Sequence, residues 1–118
     1  MKDLIDTIAC QINYLKVNIL FVHSNFPAQF KHLYGKLLEN KNYNIRFLCE
    51  NKEWTSPAIE QGEIWRYKPN REAAGELCHA YMKRFEKAIL VGQAGLREAI
   101  KMNQEGYEPK IIIGHSGF

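Results

Sequence analysis

Two short polar triplets, His23-Ser24-Asn25 and His115-Ser116-Gly117, each follow directly on an apolar run. Imidazole, hydroxyl and amide groups at strand ends can hold hydroxyl or phosphate oxygens or serve in proton transfer. The same residues serve equally as hydrogen-bonded strand ends. Asn25-Phe26-Pro27 then opens a helical pattern, and a helix N-terminus offers free N–H groups to an anion. A plain cap is the other reading, with Ser24 or Asn25 capping and Pro27 in the first turn. HSNFPAQF holds no glycine, which excludes a GxGxxG dinucleotide site and a P-loop, although Glu50 stands where a ribose-binding acid would. Gly114-His115-Ser116-Gly117-Phe118 departs from a GxSxG nucleophile elbow at its last residue, and no triad partner follows it. His23 and His115 lack a third ligand and the four histidines lack HxxxH spacing, so no metal is expected. His32 and His79 fall on helical patterns and read as ordinary helix residues. Trp54, Trp65, Tyr67 and Tyr81 could line a sugar groove by stacking; core or loop anchorage is the simpler reading.

The elements that must position these groups follow from periodicity. Ile5, Ile8, Ile12 and Leu15 form the stripe of a short amphipathic helix, marginal alone at about fifteen residues and so expected to dock on the domain or on a partner. Val17 to His23 is nearly all apolar and β-branched, as in a strand buried on both faces. Phe30, Leu33, Leu37 and Leu38 continue at helical spacing to about Lys41. Tyr43–Glu50 reads as a second strand, Trp54 to Gln61 as a loop and Glu63–Tyr67 as a third strand. From about Arg71 to Glu105 the period is helical through Leu77, Tyr81, Phe85, Ile89, Leu96 and Ile100. One straight helix of that length would run roughly 50 Å, so Gly92 and Gly95 are expected to break it. Gly106 suits the C-terminal cap and Pro109 the stop, before a last strand over Lys110–Gly114.

This grammar is that of an α/β, Rossmann-like three-layer domain with a mainly parallel sheet of about four strands. Right-handed crossovers favour the order 3-2-1-4, which reverses between strands 1 and 4. Open α/β sheets bind ligands at such a reversal, beyond the carboxyl ends of the strands. The two polar triplets therefore converge on the expected crevice.

Composition bounds the rest. The 118 residues and 13.7 kDa make one domain. Sixteen basic against thirteen acidic residues give +3, with the signs interleaved. Lys83, Arg84 and Lys87, with Glu86 among them, read as a solvated helix face, and no nucleic-acid partner is expected. Cys10, Cys49 and Cys78 are odd in number and far apart, which points to thiols in a reducing compartment. No apolar run reaches the roughly 20 residues of a membrane span, and Asp3 and Asp6 sit where a signal peptide would be apolar. A cytoplasmic location is expected.

ILFVHSNFPAQFKHL, followed about ninety residues later by PKIIIGHSGF, resembles the amino-terminal domain of a bacterial glycosyltransferase family 4 subgroup. Its members open with an ILFVHQNFPGQFRHL-like string and reach a PDVIIGHPGWGE-like string at the fourth strand. The resemblance covers about Val17 to Phe118 and touches Gly92-Gln93-Ala94. It implies a GT-B, retaining-type hexosyltransferase, in which one Rossmann-like domain holds the acceptor and a second binds the nucleotide-sugar. On that analogy the cleft loops are His23, Ser24, Asn25, Phe26 and Pro27, with His115, Ser116 and Gly117. His115 would approach the donor sugar or the acceptor; no catalytic residue is assigned. Ala28 stands where the family string has glycine, and Ser116 where it has proline.

The organisation expected is an amphipathic extension over residues 1–16 and an acceptor-side domain over 17–118, truncated before the donor-binding domain. No cofactor is expected, the nucleotide-sugar being a substrate. The implied partners are the missing carboxyl-terminal domain, a sugar or lipid-linked acceptor, and a second copy of the chain. Transfer needs both faces of the cleft to exclude water, so this chain is expected to transfer nothing alone. The rival reading is a stand-alone α/β interaction or small-anion-binding module without catalysis.

Overall fold

A computed structural model of the protein describes residues 1–50, 63–74 and 78–115, with the side chains of residues 10–15 left aside. The element order is α1 (Lys2–Leu15), β1 (Val17–Val22), α2 (Lys31–Leu38), β2 (Tyr43–Glu50), β3 (Glu63–Tyr67), α3 (Ala80–Gln104) and β4 (Ile111–Gly114). The four strands form one parallel sheet in the order β3-β2-β1-β4, as the crossover argument requires. The loop expected over Trp54 to Gln61, and Leu77 in the helical stripe, lie outside the described residues.

Alternation along the strands divides the core in two. Ile19 and Phe21 of β1, with Ile45, Phe47 and Cys49 of β2, face α2 and bury Phe26 and Tyr34 against it. This half is an aromatic cluster. Phe26 meets Phe47 edge-on at 4.7 Å between centroids, and Tyr34 meets Phe21 edge-on at 5.5 Å. Leu20 and Leu48 point the other way and pack with Tyr67, Ala94, Met102 and Tyr107 beneath α3.

Three expectations change. The helix after β1 begins at Lys31, behind a 3-10 turn at Ala28–Phe30, and ends at Leu38. Helix α3 starts at Ala80, where the His79 ring caps it by accepting the Tyr81 N–H at Nδ1 (3.3 Å). It then runs unbroken to Gln104 through Gly92 and Gly95. A glycine costs a helix about 1 kcal/mol relative to alanine; the Val91, Ala94, Ala99 and Met102 contacts spanning both glycines outweigh that. The described apolar side chains of α1, including Ile5 and Ile8, are exposed, so among the described residues this helix makes no dock on its own domain, and a partner is the other docking expected of it.

The end of α3 is built as the sequence suggests. Gly106 sits at φ +90°, its N–H donating to Asn103 O (2.9 Å), while the Tyr107 N–H donates to Met102 O (3.0 Å). This Schellman closure needs a left-handed residue, and glycine supplies it without a Cβ penalty. The turn drives Tyr107 under the sheet. Its hydroxyl reaches Ile19 O (2.7 Å) and Asn44 O (2.9 Å), spanning β1 and β2. The Arg46 guanidinium lies over the Tyr107 ring at 4.2 Å and pairs with Glu63 (3.1 Å). Around Glu86, Arg71 (2.6 Å) and the Ala74 N–H (2.8 Å) converge and tie residues 71–74 to α3.

Burial pushes the phenols of Tyr34, Tyr67 and Tyr107 up to about 12. Near pH 10 and above, an unfolded chain releases protons that the folded chain keeps, so stability falls as pH rises. Thermal melts above pH 10 should show a loss approaching three protons, about 4 kcal/mol per pH unit. Among the described residues the Tyr34 hydroxyl has no hydrogen-bond partner. Tyr34→Phe should therefore raise stability at neutral pH by about 1 kcal/mol and reduce the alkaline slope by a third. A destabilised variant with an unchanged slope would contradict both statements.

Candidate functional site

The site is assembled by two ladders. β1 pairs with β4 so that Val22 lies level with Gly114, and the next residues are His23 and His115. The rings stand 6.2 Å apart between centroids, inclined at 51°. His115 is exposed and His23 half-buried. Both lie past the carboxyl ends of their strands, where the strand order reverses. The sequence placed these two residues together, and the structure does the same.

His23 is fixed from three directions. Its N–H donates to Leu48 O (3.1 Å), and the Glu50 N–H donates to Ser24 O (3.2 Å), so the β1–β2 ladder extends one step into the loop. His23 Nδ1 lies 2.9 Å from the Asn25 N–H and 3.0 Å from Asn25 O, so the Asn25 backbone offers it a donor in one tautomer and an acceptor in the other. Phe30 closes the third side, edge-on at 6.0 Å. The imidazole is held by its own loop through Nδ1.

The remaining loop residues divide by burial. Ser24 and Pro27 are half-buried and Asn25 exposed. Phe26 is turned into the core at 2% exposure, against Phe47 and Tyr34, and anchors the loop from beneath. Burying such a ring contributes roughly 1.5–3 kcal/mol. Ser24 and Asn25 cap no helix; the turn instead closes through Phe30 N–H to Pro27 O (3.1 Å), after a cis Phe26–Pro27 peptide. Ser116 and Gly117, and the Trp54 of the proposed sugar groove, lie outside the described residues. Of the other aromatic candidates, Tyr67 is buried in the core, and Trp65 is half-buried with its N–H on Glu63 Oε1 (3.1 Å). Tyr81 is exposed and stacked on His79. Among the described residues, no group of three His, Cys, Asp or Glu could hold a metal ion, and no helix is long and apolar enough to cross a membrane.

Sequence reasoning did not find Phe30 as the wall of the His23 ring or His79 as a helix cap. It did single out Ala28, and the backbone shows why: Ala28 has φ +50°, the left-handed region that favours glycine.

A four-stranded 3-2-1-4 parallel sheet with polar groups gathered at its reversal defines a doubly wound α/β domain, a class whose ligands generally bind at that reversal. The chain belongs to the glycosyl transferase family 4 group, whose model matches residues 41–118, two thirds of the sequence. It is therefore a glycosyltransferase-type domain. The match runs from the end of the first crossover through β4 and takes in His115; β1 and the His23 loop lie ahead of it. No curated protein and no solved structure matches the chain.

Ala28 gives a direct check on the loop. An L-residue in the left-handed region costs about 1–2 kcal/mol, part of which glycine's freer unfolded chain offsets. Ala28→Gly should raise unfolding stability by about 1 kcal/mol in urea titrations. A loss of stability would show that residue 28 is not left-handed.

Proposed function

We propose that residues 17–118 form the acceptor-side domain of a GT-B hexosyltransferase, with residues 1–16 as an amphipathic extension. The catalytic partner is a second, nucleotide-sugar-binding domain that closes over the carboxyl ends of the strands. The observation that carries this reading is the meeting of His23 and His115 at the strand-order reversal, in a chain of the glycosyl transferase family 4 group. Sugars present dense arrays of hydroxyls that both donate and accept. A His23 ring whose Nδ1 is held by the Asn25 backbone offers Nε2 as an oriented polar contact, and the exposed His115 ring offers a second beside it. Pre-setting one ring removes the cost of ordering it when the acceptor binds.

On this reading the cleft loops are His23–Pro27 and His115–Gly117. Phe26 acts from below as the anchor, and Ser24, Asn25 and Pro27 shape the rim. The donor sugar is a substrate brought by the other domain. The protein works in the cytoplasm, on a sugar or lipid-linked acceptor. By itself the domain binds an acceptor and transfers nothing, because half a cleft neither excludes water nor holds donor and acceptor in line.

The test pairs binding with turnover. Alkyl glucosides titrated calorimetrically into the chain serve as acceptor probes, and radiolabelled UDP-glucose as the donor probe. Binding should weaken about tenfold in His23→Ala and in His115→Ala, the loss of roughly 1.4 kcal/mol expected for a hydrogen bond or two. No labelled product should form. Binding indifferent to both histidines would remove the acceptor assignment, and product formed by the chain alone would remove the half-site assignment.

A further inference from the structure

Helix α3 carries an apolar stripe that the other described residues do not cover. Tyr81, Phe85, Ile89, Leu96 and Ile100 recur on one side of the helix, with Gly92 completing the row, and all six are exposed. Tyr81 is 75% accessible, Phe85 59% and Leu96 61%. The sheet side of the same helix is supplied by other residues, chiefly Val91, Ala94 and Met102. An amphipathic helix that shows apolar residues on a second face is built to meet something else.

The spacing indicates what. The six positions are separated by 4, 4, 3, 4 and 4 residues, an interval pattern that reads the same in both directions. Laid antiparallel on itself, the stripe sets Tyr81 opposite Ile100, Phe85 opposite Leu96 and Ile89 opposite Gly92. Large residues meet branched aliphatics at the ends. At the centre, a glycine whose Cβ position is open lets the two backbones approach closely. Such self-complementarity is what a two-fold interface requires, since each surface must fit its own copy. An unrelated partner imposes no such symmetry.

A second feature lies beside the stripe. Ala99, Met102 and Asn103 of α3, with Ile112 of β4, line a mostly apolar cavity of about 260 Å³. Asn103 is one helical turn beyond Ile100, the residue that the partner's Tyr81 would face. The cavity lies between the end of α3 and β4, beside that residue, with the exposed Asn103 at its edge. Together with the exposed Ile112, the stripe offers several hundred Å² of apolar surface, approaching the roughly 800 Å² that one partner contributes to a standard interface.

We propose that the outer face of α3 is a homodimer interface, in which two copies pack their third helices antiparallel about a two-fold axis near residues 90 and 91. The interface uses α3 and the β4 edge, leaves the strand ends open, and does not depend on the glycosyltransferase reading.

The register makes the proposal testable by charge exchange. At tens of micromolar, light scattering on the full chain should return twice 13.7 kDa. Phe85→Glu and Leu96→Lys are exposed substitutions that should each give a folded monomer, judged by an unchanged far-ultraviolet spectrum. A one-to-one mixture of the two should restore the dimer, because Glu at 85 then faces Lys at 96 of the other chain. A monomeric unaltered chain overturns the proposal, whatever then covers the stripe. Sedimentation of that monomer with phosphatidylglycerol vesicles would assign the face to an anionic membrane instead, through the adjacent Lys83, Arg84 and Lys87. Dimers that survive both single substitutions, or a mixture that stays monomeric, would overturn the α3 register.

Discussion

Strand β1 is bonded in parallel to β2 on one side and to β4 on the other, with Val22 level with Leu48 and Gly114. A shift of one residue in either ladder would send His23 or His115 to the opposite face, because side chains alternate along a strand. Several contacts pin that register at the far end of the sheet. The Tyr107 hydroxyl bridges the carbonyls of Ile19 and Asn44, the Lys110 N–H donates to Asn18 O (2.8 Å), and the Asn18 side chain donates to Glu108 O (3.0 Å). The Schellman turn at Gly106 delivers Tyr107 to that place. The geometry of the two histidines at one end thus depends on a buried phenol at the other.

The sheet was legible because burial leaves few choices. A run such as VNILFV can satisfy its apolar side chains only between two layers, and right-handed crossovers then leave little freedom in strand order. The helices were less legible because periodicity does not mark where a helix begins. The helical pattern begins near Arg71, whereas residues 71–74, Cys78 and His79 are not helical, and histidine is an uncommon cap. Gly92 and Gly95 looked like breaks because propensity is a local quantity, whereas the burial of Ala94 and Met102 is tertiary.

At the candidate site, the meeting of His23 and His115 followed from topology alone. The loop between β1 and α2 did not, since Asn25-Phe26-Pro27 carries the composition of a helix cap. What decides its path is the burial of Phe26 among Phe47 and Tyr34, which needs the fold of all three elements. The left-handed Ala28 was marked only by the glycine that stands there in the resembling family string, since alanine itself gives no sign of it. The same core that stabilises the domain therefore holds the loop that presents His23.

On the proposed function, sugar is held between the loops after β1 and β4. Backbone amide shifts of the isotopically labelled chain, followed during titration with an alkyl glucoside, test it most directly. Saturable shifts concentrated at His23–Asn25 and His115 are expected, with α2 and the α3 stripe unmoved. Shifts centred anywhere else on the domain would contradict it.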